Sequence, residues 1–194
     1  MLIIDINVKE QRTKDYLINE GLKLIEDFLI LNNILMPEII ISNENSSYNG
    51  CYFSNKQKIV LYRKNVTVPA IKPGYKWSYP GYKADLTPCG ILTHELGHYL
   101  DDLRGKSLHK EWVIDIKGEK CVTRYDNKNT VNEQIAEAIK LFLTNPNLLK
   151  VGRPKRYNFL VNKMNLIPLH DVDWQIILQY AHPKYISATQ NWIK

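Results

Sequence analysis

Residues 87–104 read TPCGILTHELGHYLDDLR. Thr87 suits a helix N-cap, and Pro88 stands at the first helical position, where its missing N–H costs nothing. The helix so opened is expected to reach about Leu103, with Gly105 as its stop. Leu92, Leu96, Leu100 and Leu103 supply apolar side chains for a core. His94 and His98 are four residues apart, so both lie on one face and can offer two imidazole nitrogens to one tetrahedral metal ion. Glu95, one residue along, can reach a water on that ion without ligating it. This geometry is why the spacing H-E-x-x-H encodes a zinc hydrolase. Zinc brings the pKa of the water it holds toward about 7, and the glutamate takes the proton.

A catalytic zinc needs a third protein ligand. Three and six residues past His98 stand Asp101 and Arg104, so the motif is not extended by a nearby third ligand. His109, His170 and His182 are isolated and read as surface or core-edge histidines. Asp101, three residues past His98 and seven past His94, is expected to take a ring N–H and fix the tautomer of a ligating histidine. A second strong helix, VNEQIAEAIKLFL at 131–143, is opened by Thr130 and stopped before Pro146. Its Glu133 and Glu137 share one face, while Val131, Ile135, Ala138, Ile139 and Phe142 provide packing. One acid is a candidate ligand and the other a supporting group, and periodicity alone does not choose between them.

Outward from these helices, residues 11–34 carry Leu17, Ile18, Leu22, Leu24, Ile25, Phe28, Leu29 and Leu31 at helical spacing. Strands are expected at 38–42, 51–53 and 57–63, with a polar turn at 43–50. The strand at 57–63 is either an edge that pairs with an extended substrate or a plain core strand. Residues 64–87 read as an ordered surface loop. Its Tyr75, Trp77, Tyr79 and Tyr82 form either a cleft wall or a satellite cluster. A hairpin is expected from 111–116 and 119–124, and short helices thereafter, including DWQIILQY at 173–180. The fold class is therefore α+β: a small sheet plus an active-site helix, followed by a mainly helical C-terminal half, in one domain over 1–194.

Composition narrows the class further. Hydrophobic residues at 44% and charged residues at 24% are ordinary for a soluble globular protein. No apolar run approaches the roughly 20 residues that span a bilayer, and no secretory signal is evident, so the expected location is cytoplasmic with no membrane partner. Cys51, Cys89 and Cys121 are odd in number and unpatterned in spacing, and read as reduced thiols. The net charge of +6 is concentrated at 140–194, with 8 basic and 2 acidic residues there. Lys150, Arg153, Lys155 and Arg156 are its densest part. Such a stretch can bind nucleic acid, but a solvated face is the preferred reading.

HELGHYLDD at 94–102 together with EQIAEA at 133–138 resembles the glutamate-liganded, gluzincin-like zinc metallopeptidases of the anthrax lethal factor type. WSYPGYKADLTPCG at 77–90 and LFLTNPNLLKVGRPKRYNFL at 141–160 are similar to the zincin-like metallopeptidases of bacteriophages and prophages. The resemblance covers roughly residues 48–160. It implies a zincin-like metallopeptidase fold with His94, His98 and Glu133 as the Zn2+ ligands, Glu95 as the base and Glu137 in support. It also implies an oxyanion-stabilising tyrosine before the glutamate helix. Tyr125 matches it with a spacing one residue longer. The implied activity is that of a zinc-dependent endopeptidase acting on a protein or peptide, phage- or prophage-encoded. Two neighbouring readings are a peptidase that cleaves repressors and a catalytically silent phage-associated binding protein on the same fold.

Overall fold

A polar cap and an apolar surround together set the central helix. In the computed structural model, which describes residues 2–67, 86–104, 107–126, 130–169 and 183–194, helix α2 spans Pro88–Arg104. Thr87 Oγ1 accepts from the Gly90 N–H at 3.0 Å, the cap expected from the sequence. Pro88 through Gly97 and Tyr99 through Asp101 are all buried, so this helix is enclosed on nearly every side. Its neighbours are a long N-terminal helix α1 (Leu2–Leu31), a helix α4 (Val131–Thr144) and a small sheet.

Helix α1 begins nine residues before the expected start. Leu17, Ile18, Leu24, Ile25, Phe28 and Leu29 are buried as their periodicity requires, whereas Leu31 is exposed. The helix ends where Asn33 adopts a left-handed backbone (φ 51°) and the Ile34 N–H returns to the Leu29 carbonyl.

The sheet is mixed, in the order β1-β3-β2. Strand β1 (Glu38–Ser42) runs parallel to β3 (Lys58–Tyr62), with Ile40 opposite Val60. Strand β2 (Gly50–Phe53) runs antiparallel to β3, with Tyr52 opposite Ile59. The three expected strands are thus present to within a residue. Strand β3 is central and carries the buried Ile59, Val60 and Leu61. It is the core strand of the two readings, and it has no free side to offer a substrate. Among the described residues the strand with an open side nearest α2 is β2. The Tyr52 hydroxyl ties it down by donating to Asp102 at 2.9 Å.

The expected hairpin at 111–124 is not formed. Residues Leu108–Asp115 make a helix, α3. Leu108, Trp112 and Ile116 are four apart and turn inward, with Trp112 fully buried, while Val113 and Ile114 stay exposed. The apolar residues at 112, 114 and 116 also fit a strand's alternation. What selects the helix is the pocket for Trp112, whose ring meets Phe159 at 5.0 Å and whose Nε1 donates to Gln134. Beyond it come α5 (Pro146–Gly152), α6 (Pro154–Asn162) and α7 (Pro183–Ile193). The described chain is therefore α+β, with seven helices and one three-stranded sheet among the described residues. No helix among them is long and apolar enough to cross a membrane. The aromatic series at 75–82, Gly105, His170, His182 and the helix expected at 173–180 lie outside the described residues.

Helices α2 and α4 meet at Gly97. A Cβ added there would lie 2.6 Å from the Ala136 Cα and 2.9 Å from its carbonyl oxygen, both backbone atoms that cannot swing aside. Alanine favours a helix over glycine by about 1 kcal/mol, yet overpacking of this kind costs about 1–3 kcal/mol. Gly97→Ala is therefore expected to lower stability in urea unfolding. An unchanged or raised midpoint would show that the crossing tolerates a methyl group.

Candidate metal centre

The tight crossing brings residues 94–98 of α2 against residues 133–137 of α4. The rings of His94 and His98 lie 4.8 Å apart and edge to face. Glu133 Oε2 is 3.2 Å from His94 Nε2 and 3.5 Å from His98 Nε2. One ligand atom from each of the three residues lies within 4.8 Å of the others, and the group could hold a metal ion.

Hydrogen bonding supports that fit. His94 Nδ1 donates to Glu137 Oε1 at 2.7 Å, which leaves Nε2 of the neutral ring with a bare lone pair. That lone pair faces Glu133 Oε2, a buried oxygen with no hydrogen-bond partner. Two electron-rich atoms held this way suit a cation between them, either a proton or a metal ion.

The titration behaviour follows the same logic. Burial opposes a charge on His94, but the neighbouring carboxylates of Glu133 and Glu137 outweigh it and raise the pKa to about 9. Burial pushes Glu133 up, and the two imidazoles more than reverse this, bringing it down to about 2. Glu137 is likewise opposed by burial and held far below the usual range by Lys140 and His94. Glu95 is raised, chiefly by burial, with the two histidines pulling the other way.

Glu137 is the most heavily supported acid in the group. Besides His94 it accepts from Thr123 Oγ1 at 2.6 Å and from Lys140 Nζ at 2.6 and 2.7 Å. With both oxygens so engaged it supports His94 Nδ1, while Glu133 is the acid turned to both Nε2 atoms. Periodicity left this choice open, and tertiary contacts make it.

Glu95 is buried, its carboxylate reached by the Tyr52 backbone N–H from β2. A Cβ on Gly50 would lie 2.4 Å from Ile91 Cγ2 and 3.0 Å from Glu95 Cγ, so a larger residue there would push β2 and α2 apart. Tyr125 sits in the loop before α4, with its ring 5.8 Å from that of His94. Burial, and then the charges of Glu133, Glu137 and Glu95, raise its pKa and keep the phenol protonated. A cleft of about 660 Å³ is lined among the described residues by His94, Glu95, His98, Tyr125, Glu133 and the β2 residues Gly50 to Tyr52.

Asp101 does something other than the sequence suggested. Its buried carboxylate receives His109 Nε2 at 2.8 and 2.9 Å, and its hydrogen bond goes to that histidine in place of either metal-facing one. His109, read from sequence as isolated, lines the same cleft. Thr123 and Lys140 were also missed. Lys140 left a signal, the one basic residue in the apolar run AEAIKLFL, one turn from Glu137; Thr123 left none, because its loop has no periodicity to read.

The basic C-terminal quarter is partly internal. Arg153 stacks 4.0 Å from the Trp192 ring centre, and its Nε donates to the Cys121 carbonyl. Arg156 is buried against Asp126 and Glu119. Only Lys150 and Lys155 of the four densest charges remain outside. Cys51, Cys89 and Cys121 form no disulfide. Comparisons with family models, curated proteins and solved structures find no match to this chain.

A metal ion must displace the proton that His94 holds below a pH of about 9. The sign follows directly: apparent affinity rises with pH up to about that value and falls about tenfold per unit below it, for one proton released. Calorimetry of Zn2+ binding near neutral pH, in buffers of different ionisation enthalpy, should report release of about one proton. Glu133→Ala should lose the metal almost entirely, whereas Glu137→Ala should weaken it by about 10- to 100-fold. Full metal content in Glu133→Ala would remove that residue from the group.

Proposed function

We propose that this chain is a zinc-dependent endopeptidase of the zincin type, acting on a protein or peptide. The observation that carries the reading is Glu133 Oε2, buried, without a hydrogen-bond partner and facing Nε2 of both His94 and His98. Two imidazoles and a carboxylate are a donor set suited to zinc, and three protein ligands leave a position open for chemistry. A zinc ion there supplies a Lewis acid and an acidified water.

The chain's own residues support the remaining steps. Glu95 lies beside the ligands in the cleft wall, and its raised pKa favours a base that takes a proton and returns it to a leaving amine. The protonated Tyr125 phenol is a donor on the same cleft, suited to the oxyanion that forms on a substrate carbonyl. Strand β2 borders the cleft and has an open side among the described residues, the feature with which an extended peptide pairs. Glu137 takes the Nδ1–H of His94 on the side away from the cleft-facing nitrogen.

The test is metal analysis of the purified protein together with proteomic cleavage profiling against Glu95→Gln. That variant cannot accept the proton, so turnover should fall about 100-fold or more with zinc near one equivalent. Loss of zinc, or cleavage equal to wild type, would reject Glu95 as the base. Tyr125→Phe should lower the rate by about 100- to 1,000-fold with zinc and KM little changed. An unaltered rate would make Tyr125 an ordinary cleft tyrosine.

A further inference from the structure

Lys140 is a charged side chain in an apolar place. It lies on α4 within AEAIKLFL, and its side chain is 1% exposed. Its ammonium donates to both oxygens of Glu137, which is equally enclosed. A buried ion pair is a poor device for stability, since an apolar pair of similar volume is often as stable or more so. Its use is better read from what Glu137 also holds.

The Glu137 carboxylate joins three parts of the fold. It takes Nζ from its own helix, Thr123 Oγ1 from the loop before that helix, and Nδ1 of His94 from α2. Only the last of these touches the metal group. The ammonium, one helical turn away, spans both carboxylate oxygens and so restricts rotation about the end of the side chain. It also occupies Glu137 with hydrogen bonds, while Glu133 Oε2 has none and faces the two imidazoles.

We infer that Lys140 is a positioning residue for the metal group. It locks the Glu137 carboxylate where it receives the Nδ1–H of His94, so that Nε2 is the nitrogen turned to Glu133 and His98. The inference rests on the reading of His94, His98 and Glu133 as a metal site. Lys140 itself touches neither metal nor substrate.

The test measures Zn2+ affinity by chelator competition, and the visible spectrum of bound Co2+, on the full chain. Wild type, Lys140→Met, Glu137→Gln and the double variant are compared. Met keeps much of the lysine stem and removes the charge. Lys140→Met should weaken Zn2+ binding by about 10- to 100-fold and alter the Co2+ spectrum, since a slack His94 changes the coordination. Because both residues act through one link, the double variant should bind within about twofold of Glu137→Gln alone. A folded Lys140→Met with wild-type affinity and spectrum would reduce the residue to a structural ion pair and overturn the inference. So would additive losses in the double variant, which would mean that Lys140 acts other than through Glu137. If Lys140→Met does not fold, Glu137→Gln against the double variant decides by the same criterion. Absence of metal from the wild-type protein would instead overturn the site itself, at the first measurement.

Discussion

Helices α2 and α4 cross where Gly97 faces Ala136, with no side chain larger than a methyl group between the two backbones. Packed helices normally keep their axes about 8–10 Å apart, a spacing set by the side chains at the contact. The small pair at this crossing favours a close approach. His94 and His98 flank Gly97 on one helix, and Glu133 and Glu137 flank Ala136 on the other. The short side chain of a glutamate can then meet an imidazole directly. The other contacts of the site inherit their geometry from this crossing.

Such closeness buries charge, and the surrounding fold compensates it. Glu95, Glu133 and Glu137 are gathered around two imidazoles. Glu137 is matched by Lys140, Thr123 and His94. Glu95 is reached by a backbone N–H from β2, which approaches because residue 50 has no side chain. Glu133 Oε2 alone in this group is left facing two nitrogens, and the three atoms together could hold a metal ion.

The loop that carries Thr123 and Tyr125 is held from the far side of the molecule. Asp126 accepts from the backbone N–H groups of Val122 and Thr123, and Arg156 on α6 pairs with Asp126. Arg153 and Trp192 both donate to the Cys121 carbonyl at the start of the same loop. The basic residues that composition assigned to a solvated face thus serve in part as internal fastenings. Guanidinium groups suit this work, since their planar forks bind carbonyls and carboxylates while stacking on an indole.

Much of the fold was legible wherever a local rule had no competitor. The Thr87-Pro88 start follows from capping, and the buried face of α1, the three strands and the apolar face of α4 follow from periodicity, which short-range sterics enforce. The pairing of His94 with His98 was legible for the same reason, because four residues along a helix is one turn. The segment 111–124 was misread because its apolar residues satisfy both a strand and a helix, and the choice lies with a pocket formed by Gln134 and Phe159. Asp101 was assigned to the wrong histidine, because its place on α2 says nothing of α3, from which His109 reaches it. The sequence by itself determined α1, α2, α4, the three strands and which chemical groups those helices carry. Only the tertiary structure decided which glutamate faces the two histidines, that Lys140 and Thr123 hold the other, and that β2 borders the cleft. Those are contacts between segments distant in the chain, and no periodicity along one segment encodes the distance to another.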